Sequence, residues 1–236
     1  MFEGIIEEKI PYRKKVTRRD VMALISEGEG LHIEFKRHFS SPEKIAKEMI
    51  AFANTKGGTI LFGVDDDGSV FGLQSEKSEL SEIEHTSQFL CDPPIAISCD
   101  IIPWSGKKDI IAVTVPTSMN KPHTLIEYDA AGKRVMNGAR TGFVRVKDKS
   151  LQASKEVMKV MRAFRTDAPP LRIAIGYNER ALFEYLEENG KITVGEFADL
   201  VNISRRRASK ILVDLVRAGT LLLHSVEMPE FFLLAE

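Results

Sequence analysis

The sequence predicts an α+β protein: a mixed-sheet domain followed by a small unit of three helices and a two-stranded ribbon. Three observations carry that prediction. Between Ile33 and Leu73 the pattern runs from period-two alternation to a helical apolar stripe and then to a short, wholly apolar run, the order strand, helix, buried strand. Polar Thr166 and Asp167 then lead to Pro169 and Pro170, which break the chain. Beyond them apolar residues recur at helical spacing until two short hydrophobic runs close the sequence.

Residues 1–16 read as a basic arm, with Lys9, Arg13, Lys14 and Lys15, either solvated or in contact with phosphates. A domain follows over residues 17–166. Thr17 caps a helix carrying Val21, Leu24 and Ile25, which Gly28 and Gly30 end. The segment His32–Lys36 alternates, with Ile33 and Phe35 on one face and His32, Glu34 and Lys36 on the other. Ser40 or Ser41 before Pro42, with Glu43 to complete a capping box, starts a helix whose stripe is Ile45, Met49 and Phe52. Thr59–Val64 is apolar on both faces, as in a central strand covered on two sides, and Asp66, Asp67 and Gly68 turn it into a hairpin with Ser69–Gly72. Ser78–Leu90 is helical, with Leu80, Ile83 and Phe89 as core contacts. Ile95–Pro103 and Asp109–Pro116 pair around Ser105-Gly106; residues 117–142 are irregular; Phe143–Val146 is the last strand and Ala153–Phe164 the closing helix.

A second domain spans residues 171–236. Asn178–Asn189 is its first helix. Thr193 and Glu196 box the start of a second, Val194–Val201, and Ser204 caps a third that stops at Gly219. Thr220–His224 and Phe231–Leu234 form the ribbon, and three helices followed by a hairpin is the layout of a winged helix, a helix-turn-helix variant.

Composition excludes several classes. Hydrophobic residues at 43% and charged residues at 28% describe a globular chain, and a net charge of −1 places any nucleic-acid contact in local patches. Cys91 and Cys99 have no histidine at ligand spacing, which argues against zinc and for free thiols in a reducing compartment. No apolar run is long enough to span a bilayer and the N-terminus lacks a signal peptide's apolar core, so the expectation is a cytoplasmic protein with no membrane partner.

The chemistry-bearing residues fall in two groups. The third helix of the small unit opens Ser204, Arg205, Arg206, Arg207, with Lys210 a turn later. In helix-turn-helix proteins that end enters the major groove, where arginine contacts phosphates and guanine edges. A solvated basic face on a protein-binding winged helix is the competing reading. The larger domain carries Glu27, Glu29, Glu34, Asp65, Asp66 and Asp67 near strand ends, where converging carboxylates can hold a divalent cation. Glu34 can instead pair with Lys36 or a basic residue of a neighbouring strand, and Asp66 and Asp67 suit plain turn chemistry. Gly57-Gly58 ends a helix and begins a strand, the reverse of a P-loop's order, and no G-x-x-x-x-G-K-[ST] run exists. His32 and His123 have no catalytic partners by spacing, and Trp104 is a core or hairpin residue or a base-stacking platform.

Glu34-Phe35-Lys36, then residues 51–59 (AFANTKGGT), residues 61–68 (LFGVDDDG), Lys121-Pro122-His123 and Gly142-Phe143-Val144-Arg145-Val146 together resemble the Schlafen/AlbA-like domain, also called divergent AAA, described as DNA-binding. The resemblance implies nucleic acid as partner, DNA or RNA, and a bacterial transcriptional regulator when a winged helix follows. Its Schlafen branch implies a second activity, an endoribonuclease whose three acids match Glu29, Glu34 and Asp65, with Mg²⁺ or Mn²⁺ as cofactor and Lys36 near the phosphate. Schlafen nucleases pair two such domains in one chain and carry a zinc-binding Cys/His set. One copy and no such set are present here, so a two-lobed groove implies a homodimer. A nucleotide- or ligand-sensing module controlling the winged helix is the third reading.

Overall fold

The computed structural model describes residues 15–106, 108–129, 131–135, 140–225 and 229–235, so the arm residues Lys9, Arg13 and Lys14 lie outside the described residues. Thr17 caps α1 (Arg18–Glu27) through a reciprocal box with Asp20. β1 (Ile33–Lys36) leads into α2 (Pro42–Asn54), which crosses to β2 (Gly58–Phe62), parallel to β1. Ser41 is the cap of α2 and accepts the Lys44 N–H; one residue of offset leaves Glu43 outside a capping box. α3 (Glu76–Phe89), β3 (Cys91–Asp92), β4 (Ser98–Ser105), β5 (Lys108–Val115), β6 (Thr124–Leu125), β7 (Phe143–Val146), β8 (Lys149–Gln152) and α4 (Lys155–Ala163) follow.

The main sheet has the order β1-β2-β5-β4, parallel at β1–β2 and antiparallel elsewhere, a mixed sheet as expected. β2 is interior, and its residues Ile60, Leu61 and Phe62 are apolar on both faces for a physical reason. Ile60 and Phe62 join α2 and α3 in one core with Ile45, Met49, Phe52 and Ile83, while Leu61 faces the opposite core with Val21, Ile33 and Phe35. The strand ends at Phe62 because Gly63 turns to φ 96°. The expected hairpin with Ser69–Gly72 shrinks to one bridge, Val64 to Val70, plus Phe71 and Gly72 N–H groups donating to the Gly63 carbonyl. Phe89, expected in the core, is 56% exposed at the end of α3. The two-residue ladder β3–β6 and the hairpin partner β8 are further departures from the sequence reading.

Gly57 and Gly58 serve packing. A Cβ on Gly57, at φ 72°, would lie 2.8 Å from the Val115 carbonyl oxygen and 2.9 Å from the Thr117 nitrogen; one on Gly58 would lie 2.7 Å from the His32 carbonyl oxygen. Only glycines let α2 turn into β2 this close to neighbouring backbone.

The C-terminal part holds α5 (Tyr177–Asn189), α6 (Val194–Leu200), α7 (Arg205–Arg217) and the antiparallel pair β9 (Leu221–His224) and β10 (Phe231–Leu234). It has its own core of Leu182, Leu186, Phe197, Leu212, Leu215 and Phe232, tied by a bridge between Ile192 and Phe232. Helix α4 belongs to both parts. Met158 packs under Gly142, Val160 packs on the C-terminal core, and Glu156 and Lys159 both bond Ser209 of α7, at 2.5 and 2.7 Å.

Candidate nucleic-acid interface

Strand alternation puts Glu34 and Lys36 on the face of β1 opposite Ile33 and Phe35, and that face is covered. β7 packs across α2 and delivers Arg145, whose side chain is 1% exposed, against Glu34. All five guanidinium N–H donors are used. Nη2 donates to Glu34 at 2.6 Å and to the Ile33 carbonyl at 3.1 Å; Nη1 donates to Glu48 at 3.0 Å and Ser150 at 3.2 Å; Nε donates to the Gly30 carbonyl at 3.0 Å. Lys36 bonds the other oxygen of Glu34, and Ser150 bonds Glu48. The Arg145 guanidinium also lies 4.8 Å from the Phe52 ring centroid. A buried charge needs a partner and filled hydrogen-bond capacity, and here it has both.

The three acids implied as metal ligands are thus placed one by one. Glu34 is held between Arg145 and Lys36. Glu29 accepts the Phe35 N–H at 2.8 Å, closing the loop before β1; partial desolvation raises its pKa against the pull of that N–H, with Glu34 adding to the rise. Asp65 pairs with Arg37 at 3.3 Å, and Arg37 stacks on Phe71. Among the described residues no three His, Cys, Asp or Glu side chains stand together as a metal group. The donor set does not fit a divalent cation, because each carboxylate is turned to a protein donor and Glu34 already faces two positive charges. Asp66 and Asp67 lie in the turn after Asp65, where Asp67 accepts the Ser69 N–H at 2.8 Å and is held below the usual carboxylate range by the Ser69 side chain first and by that N–H second.

Asn54, at the end of α2, binds the segment Lys121-Pro122-His123 and β7 at once. It donates to the His123 carbonyl at 2.9 Å and the Phe143 carbonyl at 3.0 Å, and accepts the His123 N–H at 2.8 Å. The His123 ring is buried and its Nδ1 lies 2.7 Å from the Pro93 carbonyl, an acceptor only, so Nδ1 carries the proton. Among the described residues Nε2 has no partner although it is buried, and burial pushes the pKa of the ring down. Because the unfolded chain binds this proton near the ordinary histidine value of about 6.5 and the folded chain resists it, the contribution of His123 is intact above that value and is lost as pH falls toward the lowered one. Urea unfolding between pH 7.5 and 5.5 should show wild type losing stability more steeply than His123→Gln, by up to about 1.4 kcal/mol per pH unit. Equal slopes would place the ring in water.

Two basic surfaces remain. On α7, Ala208, Ser209, Leu212, Val213, Leu215 and Val216 are buried, which turns Ser204, Arg205, Arg206, Arg207 and Lys210 outward. Ser204 spends its hydroxyl on the Arg207 N–H as cap, Lys210 pairs with Asp214 at 3.1 Å, and among the described residues Arg205, Arg206 and Arg207 have no ion-pair partner. The turn before α7 is tight, with Asn202 at φ 51° and the Ile203 N–H bonded to the Ala198 carbonyl. The second surface, a cleft between α4, the segment after it and α7, was not visible in the sequence reading. Its arginines at 140, 162, 165, 172 and 217 are spread over three segments, and only their shared sign could have signalled it.

Trp104 sits on β4 beneath Arg18, whose guanidinium is 4.3 Å from the ring centroid, and packs on the α1-side core. It is a packing residue with one covered face. His32 bonds the Gly57 carbonyl at 3.1 Å. Cys91 and Cys99 are free, and burial pushes the Cys91 thiol up to about 12. No helix among the described residues is long and apolar enough to cross a membrane.

No curated protein matches the sequence. Among solved structures, the DIP2311 protein from Corynebacterium diphtheriae is similar at a TM-score of 0.44 and 14% identity, over 81% of this chain and 36% of that one. The present chain therefore spans about a third of that protein's length. The N-terminal domain of an ATP-dependent DNA helicase RecG-related protein from Nitrosomonas europaea is similar at a TM-score of 0.37 and 19% identity, over 66% of this chain and 95% of that one. The family model described as Schlafen, AlbA_2 matches residues 29–154, more than half of the 236 residues, from Glu29 through β8 to the start of α4. The chain belongs to the Schlafen AlbA_2 family.

Proposed function

We propose that this protein is a DNA-binding regulator in which residues 171–236 form a winged helix and α7 reads duplex DNA. The observation that carries the reading is the N-terminal turn of α7: three consecutive arginines exposed on a helix whose other face is fully committed to a core. α6, a tight turn and α7 follow one another in helix-turn-helix order, and the β9–β10 ribbon comes after them in the chain, which supports this reading. The family assignment supports nucleic acid as the partner class. A cytoplasmic placement goes with this reading. So does a homodimer on two half-sites, supported by the apolar side chains of Ile173, Ile175 and Tyr177, which are 42%, 50% and 80% exposed in the segment entering α5.

Fluorescence anisotropy with a labelled duplex tests the reading. Log affinity should fall linearly with log salt, and Arg206→Ala should flatten that slope by about 0.9, the value of one phosphate contact. An unchanged slope and affinity would remove α7 as the reader. The nuclease reading through Glu29, Glu34 and Asp65 with Mg²⁺ or Mn²⁺ requires the Arg145 and Lys36 pairs to open. Incubating structured RNA with wild type and Glu34→Gln, with and without EDTA, separates the two. Cleavage that is lost both in EDTA and in the variant would establish the enzyme.

A further inference from the structure

We propose that the cleft between the AlbA-like domain and the C-terminal helices is a phosphate-binding site, distinct from the outer face of α7. Two adjoining cavities make it up. The smaller, of about 310 Å³, is walled by Pro93, Asn120, Pro122, Arg140, Arg162 and Arg165. The larger, of about 760 Å³, shares those three arginines and continues between α4 and α7 past Arg172 and Arg217 to Lys210, which it shares with the basic face of α7.

The charge is one-sided and largely unspent. Among the described residues neither Arg140, Arg162 nor Arg172 has an ion-pair partner, and the Asn120 side-chain amide has no hydrogen bond. Arg165 is bridged to Asp167, and Lys210 to Asp214, the two carboxylates of the larger cavity. Asp92, the carboxylate of the smaller one, is bound to Arg134 at 2.8 Å and so does not face the arginines unpaired. Arg217 uses one N–H on the Pro169 carbonyl at 2.6 Å, which fixes the proline segment as a wall and aims the guanidinium along it.

Several guanidinium forks on one concave surface match an anion that offers several oxygens and more than one charge. Phosphate groups do this in two forms, a free oligophosphate-bearing small molecule or the phosphodiester backbone of a nucleic-acid strand. Small ligand sites typically occupy about 300–1,000 Å³, and the arginine-shared cavity falls at the low end of that range. The cleft is concave, and the three carboxylates in its walls, Asp92, Asp167 and Asp214, are each engaged by a basic side chain.

The site stands without the α7 reading, and the experiment separates them. Three proteins are compared: wild type, the cleft variant Arg162→Ala/Arg165→Ala, and the α7 variant Arg205→Ala/Arg206→Ala. Each is titrated calorimetrically with inorganic pyrophosphate and tripolyphosphate, and by anisotropy with a short single strand and a duplex, after thermal melts verify folding. The expected result is phosphate-ligand binding weakened about 10-fold or more in the cleft variant and unaltered in the α7 variant. Binding of pyrophosphate or tripolyphosphate identifies a free small anion as the source. Oligonucleotide binding that depends on the cleft, without heat from the small anions, identifies the nucleic-acid backbone. If no probe depends on Arg162 and Arg165, the proposal is overturned, whatever the α7 variant does.

Discussion

Arg145→Met is expected to cost about 3–5 kcal/mol of unfolding free energy, the range for breaking a buried ion pair from one side. The side chain is 1% exposed, and Glu34 and Glu48 beside it are 9% and 15% exposed. Removing the guanidinium leaves Glu48 with Ser150 alone and Glu34 with Lys36 alone, and strips the Gly30 carbonyl of its donor, while the Ile33 carbonyl keeps the Gly30 N–H. Methionine fills much of the volume, so the loss reads charge and hydrogen bonds more than a cavity. Urea denaturation gives the number. Adding Glu34→Gln and Glu48→Gln to Arg145→Met should recover a large part of the loss, since the stranded charges go with the substitutions. A single variant within about 1 kcal/mol of wild type would show the network to be open to water.

Replacing Arg205, Arg206 and Arg207 together with alanine is the second large effect. If each contacts one phosphate, the salt slope falls by about 2.7, and affinity near physiological salt falls by about two orders of magnitude. Folding should be unaltered to within about 0.5 kcal/mol, because these positions are exposed and alanine suits a helix. Anisotropy across a salt series, with thermal melts of the same samples, reads both quantities. A triple variant that still binds duplex with the wild-type slope would make this face of α7 a surface for some other partner.

What was legible in the sequence was local. The Thr17 cap, the stripe of α2, the apolar run of β2, the β4–β5 hairpin and the capping box at Thr193 are each written within one short stretch of consecutive residues, and all are found. β3 and β6 hold two residues each and pair across the intervening β4–β5 hairpin, a length at which no period exists to be read. Glu34 shows the deeper limit. Alternation assigned it to a polar face, but the cover on that face comes from Arg145, 111 residues further on. Proximity of that kind leaves no mark in spacing, although the pair can be expected once the run containing Arg145 and the run containing Glu34 are grouped as one family's motifs. The cleft arginines were invisible for the same reason, since three separated segments build it.

The sharing of α4 has a consequence for dissection of the molecule. Val160 fills the C-terminal core, while Glu156 and Lys159 hold Ser209, so a fragment starting at Leu171 is cut away from part of its own foundation. A fragment ending at Thr166 conversely carries an apolar side chain with nothing on it. The prolines mark where the chain changes style, yet the mechanical seam lies one helix earlier, and excised halves that begin or end at the prolines will report weaker folding than the intact chain owes to either half.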